Sequence, residues 1–230
     1  MKKFIVFLLS ALCLASAVSG FAKVRALVQL SPQEIVQFGS YPQGAAGEVL
    51  PIRWKVLEVK DNTAYLMSEQ ILFAARVHGD QRNYPGFAKS ELNALLNGEF
   101  LNAAFTESEQ NAMLETELGM VSLPSADDIR NKDYGFKDNG DRCKFIGTAY
   151  ALNNGLFKYS SRKYSPIWTR TESSKKHANR STKVDGSVGF IGVESPDLGI
   201  MPVIWLKLDR VEAISGSGSL ESPVKLEAVQ

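Results

Sequence analysis

Residues 90–118 constrain the fold most, because they carry helical periodicity inside a chain that otherwise alternates or turns. Ser90 stands where an N-cap accepts from free first-turn amides. Leu92, Leu95 and Leu96 then share one face at i, i+3 and i+4. Gly98 is placed to end that helix as a left-handed residue. Phe100, Leu101 and Phe105 extend the apolar cluster beyond the break. Thr106 with Glu109 forms a capping box, so a second helix starts there and carries Met113 and Leu114. Helix, break, helix is the expected pattern. Leu92, Leu95, Leu96 and Phe100 are expected to bury against strands holding Trp54 and Trp205.

The flanking segments read as strands. Residues 34–38 form a short one, and 39–44, with Gly39, Pro42 and Gly44, a turn-rich loop. Ile52, Trp54 and Val56 alternate with Arg53 and Lys55, so 52–56 is a half-buried strand. A turn at 60–63 returns it through 64–68 as a hairpin. Residues 71–77 continue as strand or short helix, and 125–129 as a short helix with acids at its positive end. Residues 132–142 form a long polar loop. Residues 167–171 read as a strand, and Asp185-Gly186 as a hairpin turn between β-formers. Residues 200–208 are the most apolar strand, with Pro202 marking an edge or an entry. Beyond Asp209 the Ser-Gly-Ser-Gly-Ser composition predicts a disordered tail over 209–230.

The start of the chain is an address. A basic Met1-Lys2-Lys3, an apolar run over 4–14 and small residues thereafter form a secretory signal peptide over 1–22, cleaved after Ala17 or Ala22. Cleavage removes Lys2 and Lys3, leaving 24 of the 26 basic residues against 25 acidic ones, a net charge of −1. So balanced a chain exerts no general pull on nucleic acid or anionic membrane. Cys13 leaves with the signal, so Cys143 has no intramolecular partner. A single α+β domain over 34–208, with no transmembrane segment in the mature form, is the expected organisation.

The ordered motifs Gly39-Ser-Tyr-Pro-Gln43, Trp54-x-Val-Leu-x-Val59, Leu92-x-x-Leu-Leu-Asn97, Phe100-Leu-x-x-Ala-Phe-Thr106, Trp168-x-Arg170 and Gly199-x-x-Pro-x-x-Trp205 resemble a family of uncharacterised bacterial secreted and surface domains. The resemblance covers most of 38–208. It implies a C-type-lectin-like fold: a twisted antiparallel sheet with two or three flanking helices and long loops. It implies no activity. Leu96 and Ile167 stand where that family frequently has Trp.

Chemistry is sparse. His78 and His177 lie far apart with no Cys or His cluster, so no zinc site is expected. Asp138, Asn139, Asp141, Asp185 and Asp197 lack the EF-hand spacing. Cys143 sits between Arg142 and Lys144, which could lower its pKa, but a single thiol cannot supply paired-cysteine chemistry. No Gly-x-Ser-x-Gly elbow, phosphate loop or dinucleotide fingerprint occurs. No catalytic residue, metal or cofactor is therefore assigned. The expectation is a non-enzymatic, exported binding module of the bacterial envelope or exterior, with an unknown glycan or protein ligand. An envelope enzyme of unidentified chemistry or a structural accessory are the alternatives. Trp54 and Trp205 are read as core. Trp168 and Arg170, on one strand face, with the basic residues Lys175, Lys176, Arg180 and Lys183, are the candidate ligand site.

Overall fold

A computed structural model describes residues 28–142, 144–159, 164–175, 178–183 and 185–229. The signal peptide expected over 1–22, and Cys143, lie outside the described residues. The fold is α+β and mostly sheet. In chain order the strands and helices are β1 (Ile35–Pro42), β2 (Val49–Lys60), β3 (Thr63–Ser68), β4 (Phe73–Ala74), α1 (Glu91–Leu95), α2 (Leu101–Ala104), α3 (Glu107–Ala112) and β5 (Val121–Ser122). Then follow α4 (Asn139–Arg142), α5 (Ala149–Asn153), β6 (Trp168–Glu172), β7 (Ala178–Thr182), β8 (Val188–Gly192), β9 (Gly199–Ile200), β10 (Val203–Lys207), β11 (Val211–Ser215) and β12 (Val224–Ala228). A seven-stranded sheet runs β11-β12-β1-β2-β3-β10-β5. Its pairs are antiparallel except β1 with β12. A three-stranded sheet, β6-β7-β8, and the pair β4-β9 complete it.

The central strands of the main sheet are buried on both faces, which explains why β10 reads as a continuous apolar run. Ile52, Trp54, Val56, Leu66, Ile204 and Leu206 face one core with the helical segment. Leu57, Tyr65, Met67 and Val203 face a second core with Ile129, Phe136, Phe145 and Ile167. Trp205 packs against this second core. The helices therefore cover Trp54 but not Trp205, a correction to the expected packing. The cause is the period of two: Trp205 is in phase with Val203 and Lys207, while Ile204 and Leu206 face the helices.

The N-capping expectations hold. Ser90 accepts from Asn93 N at 3.1 Å, and Thr106 and Glu109 close a reciprocal capping box. Gly98 does not end the helix. It lies in a π turn (Leu96–Phe100) that joins α1 to α2, and it is not among the glycines with positive φ. A glycine inside a helix costs about 1 kcal/mol. Burial of Leu92, Leu96, Phe100 and Ala104 along one face exceeds that cost. Leu95 is only half-buried, at the edge of this face.

Two further expectations change. Residues 39–42 are not a loop: β1 continues through them, with a bulge between Gln37 and Ser40. Gly39 makes the bulge possible at φ +68°, where a Cβ would stand 2.5 Å from Phe105 Cε1 and 2.8 Å from the Ala104 carbonyl oxygen. Gly39→Ala is expected to cost about 2–4 kcal/mol, combining left-handed backbone strain with overpacking. Urea denaturation checks this, and an unchanged midpoint would show that the bulge relaxes freely. The tail beyond Asp209 is also not disordered where it is described. Its β12 lies parallel to β1 with Val36 opposite Val224, and Val211 and Leu226 are buried in the first core. The Ser-Gly-rich piece is only the connection between two strands.

Candidate functional site

The second face of the sheet carries the candidate site. Tyr65 on β3 lies opposite Trp205 on β10, and cross-strand pairing stacks their rings at 4.6 Å and 20°. Tyr134 meets Tyr65 edge-on at 6.2 Å and donates its hydroxyl to Glu58 Oε2 at 2.6 Å. Arg170 reaches this group from β6. Its Nη1 donates to the Leu123 carbonyl at 2.6 Å and to Tyr65 Oη at 3.2 Å, and it pairs with Asp128 Oδ2 at 3.3 Å. Asp128 Oδ2 also accepts from Tyr65 Oη at 3.0 Å and from Ser125 N at 2.7 Å. Ser125 returns the contact, its Oγ accepting from Asp128 N at 2.9 Å. The acid at the start of the expected short helix thus becomes the fixed counter-ion of Arg170.

The two phenols and the guanidinium are held in one protonation state. Burial, then the Asp128 charge, pushes the Tyr65 hydroxyl far above the usual phenol range. Burial, then Glu58, does the same for Tyr134. For Arg170 burial opposes the charge, but Tyr65 and Asp128 outweigh it and raise its pKa. The phenols and the guanidinium therefore keep their protons over the whole physiological pH range, with those of Tyr65 and Tyr134 committed to Asp128 and Glu58.

Beside it opens a cleft of about 150 Å³, walled by Tyr65, Arg170, Trp205, Ser122 and the turn around Glu117 to Met120. Asn97, at the end of the Leu-Leu-Asn motif, holds the turn that forms part of this wall. Its Nδ2 donates to the Leu118 and Val121 carbonyls at 3.0 and 2.8 Å, and its Oδ1 accepts from Val121 N at 3.0 Å. Ser122, paired with Val203 across the sheet, has a buried hydroxyl with no hydrogen-bond partner. An orphaned buried hydroxyl is costly, and its place in a cleft wall makes it informative.

The sequence-derived site divides. Trp168 is fully buried in the first core, and its Nε1–H donates to the Ala75 carbonyl at 2.8 Å, so it presents no stacking surface. The shift in register within β6 breaks simple alternation, so Trp168 and Arg170 face different cores. Arg170 does line the cleft, with its side chain 30% exposed, but the indole beside it is Trp205. Its charge is also already paired, so it is not a free cation for a polyanion. Lys175, Arg180 and Lys183 gather elsewhere. Lys175 Nζ and Lys183 Nζ lie 4.2 and 6.0 Å from the exposed Phe190 ring, and Arg180 is Phe190's cross-strand partner. No described contact joins them to Arg170, and Lys176 lies outside the described residues. Tyr65, Ser122 and Asp128 escape a sequence reading, because nothing local marks them. The phase of Trp205 against Ile204 and Leu206 is the one available signal.

Among the described residues no group of three or more His, Cys, Asp or Glu could hold a metal, and no helix is long and apolar enough to cross a membrane. Fold and cleft together define an α+β domain, mostly sheet, with a small aromatic and polar recess on one sheet face. The chain belongs to the family described as a domain of unknown function, DUF6273, whose model matches residues 61–208. That span includes Tyr65, Asn97, Ser122, Asp128, Arg170 and Trp205, while β1, β2, β11 and β12 lie outside it. No curated protein and no solved structure matches the chain.

Proposed function

We propose that this domain is an exported, non-enzymatic binding module of the bacterial cell envelope or exterior, that its fold is of the C-type-lectin-like kind, and that the Tyr65–Arg170–Trp205 cleft takes a neutral glycan. Export rests on the basic start, short apolar run and small residues of the first 22 positions. The fold assignment rests on the ordered motifs from Gly39 to Trp205 and on a largely antiparallel sheet flanked by short helices. The observation that carries the binding reading is a cleft that presents an indole and a guanidinium, with the unpartnered Ser122 hydroxyl buried in its wall. Aromatic rings stack on the apolar face of a sugar, and fixed polar groups select its hydroxyls. A neutral ligand fits better than an anionic one, because Asp128 neutralises Arg170 and Glu117 stands exposed at the rim.

A glycan array followed by titration of the best ligand tests this. Ser122→Ala is expected to leave stability unchanged or slightly raised, since it removes a hydroxyl whose unpaired burial costs about 1–3 kcal/mol, and to weaken the glycan. A protein that retains no neutral glycan, or one whose Ser122→Ala variant binds with unaltered affinity, would rule the site out.

A further inference from the structure

A second and larger cleft, of about 480 Å³, opens on the same sheet face and shares no lining residue with the first. One cross-strand row links them: Ile35 pairs with Lys55, Lys55 with Met67, Met67 with Val203 and Val203 with Ser122. Ser122 and Val203 line the first cleft, and Ile35, Lys55 and Met67 the second. The floor of the second is apolar, with Met67, Phe136, Phe145 and Met201 all buried. Its open side is formed by the connection between β11 and β12, which the Gly218 carbonyl pins to β1 by accepting from Ile35 N at 2.8 Å. Leu220 stands exposed on that connection.

The cleft is lined by two cations, Lys55 and Lys144, and two carboxylates, Glu69 and Asp141, but the pairing leaves Lys55 over. Asp141 is paired with Lys144 at 3.6 Å, and Glu69 with Arg53 at 3.6 Å. Lys55 makes no ion pair among the described residues. Its Nζ rests 5.2 Å from the centroid of the Phe136 ring, a weak substitute for a carboxylate. Burial pushes its pKa below the ordinary lysine value, with the more distant Asp141 opposing that shift. A half-desolvated ammonium without a close ion-pair partner, over an apolar floor, is unfavourable unless a carboxylate is brought to it.

We propose that the second cleft binds a small amphipathic carboxylate, its anionic head on Lys55 and its apolar body over Met67, Phe136, Phe145 and Met201. The ligand supplies the carboxylate partner that Lys55 lacks and lies against the apolar floor. A single unpaired cation favours a monoanion over a polyanion, and the apolar floor disfavours a free sugar. The site is independent of the glycan reading, which rests on other residues.

Isothermal titration of the purified protein with decanoate, decanol and decylammonium tests this. Decanoate is expected to bind about tenfold or more tightly than decanol, with decylammonium weakest, since a charge-assisted hydrogen bond supplies that much. Lys55→Met is expected to lose this preference and Lys55→Arg to keep much of it. Ser122→Ala, in the other cleft, serves as a control and leaves decanoate binding unchanged. In the unsubstituted protein, decanoate is expected to shift the Lys55 Nζ resonance, a readout that needs no variant to fold. Equal binding of decanol and decanoate, unchanged affinity in Lys55→Met, a silent Lys55 resonance, or no saturable decanoate binding would each overturn the proposal.

Discussion

Trp168→Ala is expected to lower stability by about 3–5 kcal/mol, as large-to-small changes of buried aromatic residues do. The indole is fully enclosed among the residues of the first core. Its Nε1–H ties β6 to the Ala75 carbonyl at 2.8 Å, and so holds the small sheet against the chain leaving β4. Truncation removes the packing and orphans a carbonyl, and the two losses act together. Trp168→Phe is expected to keep most of the burial and cost less. Chemical denaturation checks both variants. A loss under about 0.5 kcal/mol, the range of ordinary surface changes, would return Trp168 to the protein surface and to a role in binding.

Leu226→Ala is expected to cost about 2–5 kcal/mol, and removal of residues 211–230 to prevent stable folding. Leu226 on β12 and Val211 at the start of β11 are buried in the first core. β12 also occupies the edge of β1, where Val36 and Gln37 lie opposite Val224 and Lys225. Without it β1 becomes a bare edge with unpaired amides and carbonyls, open to aggregation. Ile214→Ala, at an exposed position on β11, is the internal control and should change stability by less than about 0.5 kcal/mol. Equal melting temperatures for the full and the shortened chain would show that β11 and β12 contribute nothing to the core.

Much of the main sheet is legible locally. The alternation of Ile52, Trp54 and Val56 marks one buried face, and all three are fully buried. The turn at 60–63 closes the β2–β3 hairpin, with Asp61 and Asn62 both at positive φ, as a tight hairpin turn demands. The Asp185-Gly186 turn joins β7 to β8 with Gly186 at φ +78°. The Thr106–Glu109 box needs only residues three apart. Each of these signals acts over a few residues, so no distant contact is required to read it.

The site is different in kind. Arg170 meets Asp128, Tyr65 and the Leu123 carbonyl, from segments scattered across the chain, and no spacing rule connects them. The choice of Trp205 over Trp168 as the partly exposed aromatic turns on a register shift in β6, which a period-two reading cannot anticipate. The same holds for Gly98, kept inside a helical run by the burial of its neighbours. Composition alone marks the chain beyond Asp209 as a tail, since its polar strands have weak intrinsic preference. They form because β1 presents an edge and the first core a gap for Leu226. Short-range sterics and hydrogen bonding set the hairpins, the N-caps and the inward faces, so these are legible from neighbouring residues alone. The ordered tail, the helix through Gly98 and the cleft draw their free energy from surfaces that meet only after the chain has folded, so no local pattern announces them.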